Sequence, residues 1–244
     1  MILHKPIPRI GGSTSEKPSM KNSPNNHIDI LSITSKNLRE GKLRVILPEY
    51  YDLSSAVENN PAHKYQNIFD HVISVFQGLE NILKFNFLNE KLRNKLDSAL
   101  FEKIGSHSRR EILIVATILH DIAKTLTIIK NEKTGMTACP GHELIGSYLS
   151  REMGGRFGLS GASLKHLETI VLYHGLAHDM LTLIFKKGST EKYIQFFEPI
   201  VGRAFIEVQL LAYADMFGSD LRKIDPTEFL KREELLISSI KSSV

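Results

Sequence analysis

From residue 60 onward the apolar residues recur at three- and four-residue intervals, the spacing of one face of a helix; the first 59 residues lack this order. Ile68, His71, Val75, Gly78 and Ile82 form one such stripe. Leu164, Leu167, Val171, His174 and His178 form a second, and Ala204, Val208, Leu211 and Asp215 a third. Asn60-Pro61 reads as a cap followed by proline at the first helical position, predicting a helix to about Phe85. A more polar helix is expected from Asn89 to Ile104. Ser108 and Glu111 make a capping box that opens a segment apolar on nearly every side, the mark of a helix buried all round. That helix is expected to carry His120-Asp121 and Lys124. Pro140 opens a further helix ended by Gly154-Gly155, and Ser160 caps the next, expected to finish near His174 and His178. After the loop Lys187-Gly188-Ser189-Thr190, helix resumes to Phe217 with a break at Pro199. Asp225-Pro226-Thr227-Glu228 caps a last amphipathic helix, whose Phe229, Leu236 and Ile240 dock on the core or on a partner.

Residues 1–27 are rich in Pro, Gly, Ser, Asn and Lys without apolar periodicity, and read as a flexible N-terminal tail. Residues 28–59 read as an irregular lead-in with one short strand at Leu43 to Leu47. Residues 60–244 are left as a single helical domain. The expected fold is all-α, an irregular multi-helix globule.

Composition narrows the classes. A net charge of +4 suits anionic ligands and is too weak to argue for nucleic acid. No aromatic-and-basic cluster of an RNA-binding kind is evident. Cys139 is the single cysteine, so no intrachain disulfide can form, which fits a reducing compartment. No apolar run reaches the roughly 18 residues of a membrane span, and the first residues lack a signal-peptide core. A soluble, cytoplasmic protein is expected.

The chemistry starts at His120-Asp121. An imidazole beside a carboxylate in an apolar helix costs several kcal/mol unless something satisfies both, and a bound cation does so. Lys124, four residues after His120, adds a charge suited to phosphate. His71, His142, His174 and Asp215 are further polar groups on inward stripes of other helices. Each has a local explanation: a hydrogen-bonded core histidine, a first-turn contact for His142, a helix-end position for His174 and His178, an Arg203 partner for Asp215. Those explanations would all have to hold together. His178, His63 and His166 are read as ordinary surface or core histidines. Four imidazoles and two carboxylates suit Mn, Fe, Co, Ni or Zn, or Mg if carboxylates and water dominate. With no cysteine in the set, the donors do not match a zinc-finger site.

Asp70-His71-Val72, His120-Asp121-Ile122-Ala123-Lys124, Gly141-His142-Glu143, Tyr173-His174-Gly175 and Ala214-Asp215, in that order, resemble the HD-domain superfamily of metal-dependent phosphohydrolases. The Pro140 to Glu143 and Leu211 to Asp215 segments are also similar to the HD domain appended to some tRNA nucleotidyltransferases. The 244 residues leave no space for a nucleotidyltransferase domain, so CCA addition is not implied. The resemblance implies that His71, His120, Asp121 and Asp215 ligate one divalent metal. It implies that His142 and His174 hold a second ion bridged by Asp121, or face the substrate phosphate. Lys124 would neutralise phosphate charge and Glu143 would orient a water, with a small phosphorylated, nucleotide-like substrate. The same pattern occurs in di-iron HD oxygenases, and a non-catalytic nucleotide-binding HD module is the third reading. Oligomeric state is not legible.

Overall fold

The structure, a computed structural model, describes residues 28–187 and 189–244. The tail of residues 1–27 therefore lies outside the described residues. Two short helices, α1 (Ser35–Arg39) and α2 (Pro48–Asp52), lead to a hairpin of β1 (Val57–Asn60) and β2 (His63–Asn67). Then come α3 (Ile68–Ile82), α4 (Glu90–Phe101), a hairpin of β3 (Lys103–Ile104) and β4 (His107–Ser108), and α5 (Arg109–Leu119). After α6 (Lys124–Thr127), β5 (Ile129–Lys130) pairs with β6 (Thr137–Ala138). The rest is α7 (His142–Arg156), α8 (Ala162–Lys187), α9 (Thr190–Val201), α10 (Phe205–Gly218), α11 (Leu221–Ile224) and α12 (Pro226–Ser242). The fold is mostly helical, as expected, with three small antiparallel hairpins added.

α5 runs through the middle, and Ile112 to Leu119 are all buried. Its start is the expected capping box: the Ser108 hydroxyl accepts from the Glu111 N–H while the Glu111 carboxylate accepts from the Ser108 N–H. Around it α3 packs along α10, and α7 along α8. The α3–α10 approach is unusually close. A Cβ on Gly78 would stand 3.0 Å from the Ala214 carbonyl oxygen, and one on Gly218 would stand 2.8 Å from the Val75 nitrogen. α12 docks on this same core through Phe229, Leu236 and Ile240, which resolves the alternative left open for that face.

Several expected boundaries move. Asn60-Pro61 does not open a helix: the Asn60 side chain accepts from the Ala62 and His63 N–H groups and turns the β1–β2 hairpin. The same residue pair serves either end because Asn caps backbone donors in both settings. α3 starts at Ile68 instead, with Asn67 accepting from Phe69 and Asp70. No strand forms at Leu43 to Leu47. The Ile46 and Leu47 N–H groups donate to the Leu43 carbonyl, and this helical spacing puts Leu43 and Leu47 inward. Residues 30–53, read as an irregular lead-in, contribute buried Ile30, Leu38, Leu47, Tyr50 and Leu53 to the same core. α8 does not end near His178 but continues to Lys187. The break after α9 falls at Gly202, not at Pro199, which lies inside the helix.

One ion network ties α5, α8 and α10 together beside the β3–β4 hairpin. Arg109 donates to Glu207 from Nε (2.6 Å) and from a terminal nitrogen (2.7 Å), and His166 Nε2 lies 2.9 Å from the same carboxylate. Glu207 is fully buried. Burial pushes its carboxyl up, but Arg109 and then His166 outweigh that and hold it below its ordinary range. Removing one partner of such a pair leaves an uncompensated buried charge, at a cost of about 3–5 kcal/mol. We therefore expect Glu207→Ala to lose stability on that scale in urea denaturation. Because the folded pKa is depressed, the contribution is present above the unfolded pKa and lost as pH falls through the folded one. The gap between parent and Glu207→Ala should accordingly shrink in acid.

Candidate metal centre

Asp121 sits just beyond the C-terminus of α5. His120 caps the helix, and the chain turns through residues 120–123 before α6 begins at Lys124. His120, Asp121 and Lys124 are thus not on one continuous helix as expected. The turn brings the Lys124 ammonium to 2.9 Å from Asp121 Oδ2, an i,i+3 contact. Both Asp121 and His120 are buried.

Four imidazoles converge on this carboxylate. His71 Nε2 (3.3 Å) and His120 Nε2 (3.2 Å) face Oδ2, while His142 Nε2 (3.4 Å) and His174 Nε2 (3.6 Å) face Oδ1. Asp215 Oδ1 lies 3.0 Å from the same His71 nitrogen. The structure therefore brings together all six groups singled out in the sequence. They come from α3, the turn after α5, the start of α7, the middle of α8 and the end of α10.

The far side of each ring is fixed by a backbone carbonyl. His71 Nδ1 faces Gly218 O (3.3 Å), His120 Nδ1 Thr117 O (2.9 Å), His142 Nδ1 Cys139 O (2.7 Å) and His174 Nδ1 Val171 O (2.7 Å). A carbonyl only accepts, so each Nδ1 carries the hydrogen, and in the neutral ring each Nε2 then presents its lone pair to the carboxylate. Lone pairs facing lone pairs in a buried space need a cation between them. His71 Nε2, His120 Nε2 and Asp121 Oδ2 are buried and lack a directed hydrogen bond. Ligand atoms of His71, His120 and Asp121 cluster tightly enough for one ion, and those of Asp121, His142 and His174 for another. The residues fit a divalent metal on that observation.

The electrostatics agree. Burial pushes the Asp121 carboxyl up, but His120 and Lys124 outweigh it and hold the group well below the carboxylate range. Asp215 behaves likewise, with His178 and His71 overcoming its burial. Burial pulls the His71 imidazole down, yet contacts to Asp121 and Asp215 push it up to about 10, so a proton and a metal ion are alternative occupants of the space at its Nε2. The pocket attracts positive charge.

Three neighbours escaped the sequence reading or were read otherwise. His178, taken for an ordinary helix-end histidine, lies 2.9 Å from Asp215 Oδ2. It stands one turn beyond His174 on a continuing helix, so its place on the inward stripe was the signal. Asp215 accordingly pairs with two histidines and not with Arg203, which is exposed. Glu58 was missed outright: the residue is 4% exposed and its carboxylate reaches Lys124 Nζ at 2.7 Å. No spacing signal marked it, since its neighbour Val57 is the apolar residue and yet is the one turned outward. His63 packs edge-on against the His71 ring, centroids 4.7 Å apart. Lys124 is buried between Glu58 and Asp121 and borders a cleft of about 630 Å³. His142, His178 and Asp215 line the same cleft, and Met216, Leu221 and Ile224 give it an apolar side. Glu143 lies over Gly175 and does not line it. Burial, then Glu58, pushes the Cys139 thiol up to about 12, which keeps it from acting as a thiolate near neutral pH.

A family model described as the HD domain matches residues 68–217. Two curated relatives carry the name bifunctional uridylyltransferase/uridylyl-removing enzyme. The one from Ruegeria pomeroyi is 30% identical over 140 residues, covering 57% of this chain and 13% of the relative. The one from Cereibacter sphaeroides is 28% identical over 142 residues, with the same shares. The chain thus spans about an eighth of the length of these relatives, 13% of each. Among the described residues, no helix is long and apolar enough to cross a membrane.

Asp121 touches every other candidate ligand here except Asp215, so its loss should be felt at once. Protein purified without chelators is expected to carry metal by elemental analysis. Asp121→Ala should weaken metal binding by about a hundredfold or more, since even an outer partner of a ligand is worth 10–100-fold. A variant with full metal content would remove Asp121 from the centre.

Proposed function

The chain belongs to the HD-domain family, and from that membership we propose that it is a metal-dependent phosphohydrolase acting on a nucleotide-like phosphate ester. The observation that carries this reading is Asp121. Its two oxygens each face a pair of imidazole lone pairs, and an ammonium stands on the same carboxylate at the edge of a cleft. His71, His120, Asp121 and Asp215 would hold one ion, and His142 and His174 a second that shares Asp121. Metal bound there supplies a nucleophilic water near neutral pH and draws charge from the phosphoryl group.

The chain's own groups do the remaining tasks. His178 Nε2 donates to the outer oxygen of Asp215, which leaves Oδ1 turned toward His71. The Nδ1–carbonyl contacts keep the four rings from rotating away. Lys124 offers a fixed positive charge to phosphoryl oxygens in the cleft, where charge shifts as the ester bond breaks. The apolar side formed by Met216, Leu221 and Ile224 can cover an uncharged part of the substrate. The relatives' name includes removal of a uridylyl group, and we take from it the phosphodiester of a nucleotidyl group as the first ester to test. Glu143, turned toward Gly175 and outside the cleft lining, would order a water only from the far side of His142.

The donor set by itself also suits a di-iron oxygenase, so the test must separate the two. Stripped protein reloaded with Mn, Co, Ni or Mg should release product from a panel of nucleotides and nucleotidyl esters. Activity confined to iron, with a dioxygen-dependent spectral change, would favour the oxygenase; nucleotide binding with no turnover under any metal would favour a sensing module. Within the hydrolase reading, Lys124→Ala should lower turnover by about a hundredfold, on the order of 3 kcal/mol, while metal content is preserved. Equal turnover at equal metal occupancy would take Lys124 out of the reaction.

A further inference from the structure

Lys124 stands on the wrong oxygen for a bystander. Asp121 Oδ2 is the atom toward which His71 and His120 point their lone pairs, and Lys124 Nζ sits 2.9 Å from it. Oδ1, facing His142 and His174, has no such ammonium. A metal ion and an ammonium therefore contend for one carboxylate oxygen. The group pulling the ammonium the other way is Glu58, at 2.7 Å.

Glu58 is held there by construction. On β1 the usual sides are reversed, with Val57 43% exposed and Glu58 buried. The pairing register slips between Glu58 and Asn60, a bulge of the sort that re-aims a side chain. Glu58 pairs across the hairpin with Gln66, whose amide donates to Gly218 O at 2.7 Å. That same carbonyl accepts from His71 Nδ1. On the other flank the Asn59 N–H donates to Thr137 Oγ1 at 2.7 Å, clamping the hairpin to β6. The carboxylate is thus indexed both to the His71 side of the centre and to the loop carrying Cys139. It also lies outside residues 68–217, the part matched by the family model.

We propose that Glu58 is a positioning residue that competes with Asp121 Oδ2 for the Lys124 ammonium and so keeps that oxygen available to metal. The inference rests on the six groups being a metal centre, not on the reaction they perform. Without Glu58, Asp121 is the one carboxylate left within 4 Å of Lys124 among the described residues, with Asp215 acting from farther off, and the closer ion pair competes with the cation. The sign is distinctive: a defect made by removing Glu58 should be repaired by also removing Lys124. A merely structural role would make the double change worse.

The test is a titration of metal-stripped full-length protein with Mn²⁺ or Co²⁺ against a chelating dye, with no substrate present. Glu58→Gln keeps the shape and is expected to raise the dissociation constant about tenfold, the scale of an outer-partner loss. Glu58→Gln combined with Lys124→Met should return it to the parent value or below. Glu58→Asp, which keeps the charge on a shorter arm, should fall between. If Glu58→Gln does not fold, as judged by its melting curve, the comparison of Glu58→Asp with the double variant carries the same sign. Equal affinity of parent and Glu58→Gln, or a double variant as weak as the single one, overturns the inference and leaves the metal centre standing. Parent protein that binds neither ion overturns the inference and the metal centre together.

Discussion

Everything near the centre of this molecule answers to one buried carboxylate. Asp121 lies at the end of a helix sealed on all sides, where an unpartnered charge would cost several kcal/mol even after relaxation. The protein surrounds it with four imidazole nitrogens and one ammonium, then pins each imidazole from behind with a backbone carbonyl. Those carbonyls sit in ordinary helices and turns. The hydrogen each one takes fixes which nitrogen is bare, so the ligand set follows from main-chain placement as much as from side-chain identity.

Helix packing supplies the distances. His71 and Asp215 can meet at 3.0 Å because Gly78 and Gly218 let α3 and α10 approach without a Cβ between them. At the other end of α5, Arg109, Glu207 and His166 make a second buried charge network that is fully paired. The contrast between the two is informative. At Glu207 every charged atom has a protein partner, which makes a structural tie. At Asp121 the buried nitrogens and one carboxylate oxygen are aimed at each other without directed bonds, an arrangement that fits a cation.

The hairpin of β1 and β2 extends the centre beyond the helices. Its Glu58 meets Lys124, its His63 lies on His71, and its Gln66 shares the Gly218 carbonyl with His71. Lys124 is consequently neither a side chain reaching out to solvent nor a free charge waiting for phosphate. It is a buried ammonium divided between two carboxylates, and its availability to a substrate is set by both.

How much of this could be read from the chain alone differs by residue, and the physical reason is locality. The capping box of Ser108 and Glu111, the burial of α5 and the inward placement of His71, His174 and Asp215 follow from spacing within one helix, and periodicity reports that directly. Asn60-Pro61 misled because an Asn side chain caps a hairpin turn as readily as a helix, and Leu43 to Leu47 misled because a short apolar run has no period to read. His178 lay on the right stripe, but its role depended on α8 running on past it and on α10 bringing Asp215 within 2.9 Å. Glu58 could not be paired with Lys124 from spacing, since 66 residues separate them and an isolated strand glutamate is ordinarily a solvated one. The chain by itself thus determined which side chains face inward and what chemistry they carry. Only the tertiary structure decided which of them meet, because contacts between elements depend on approach, register and turn geometry that no single element encodes.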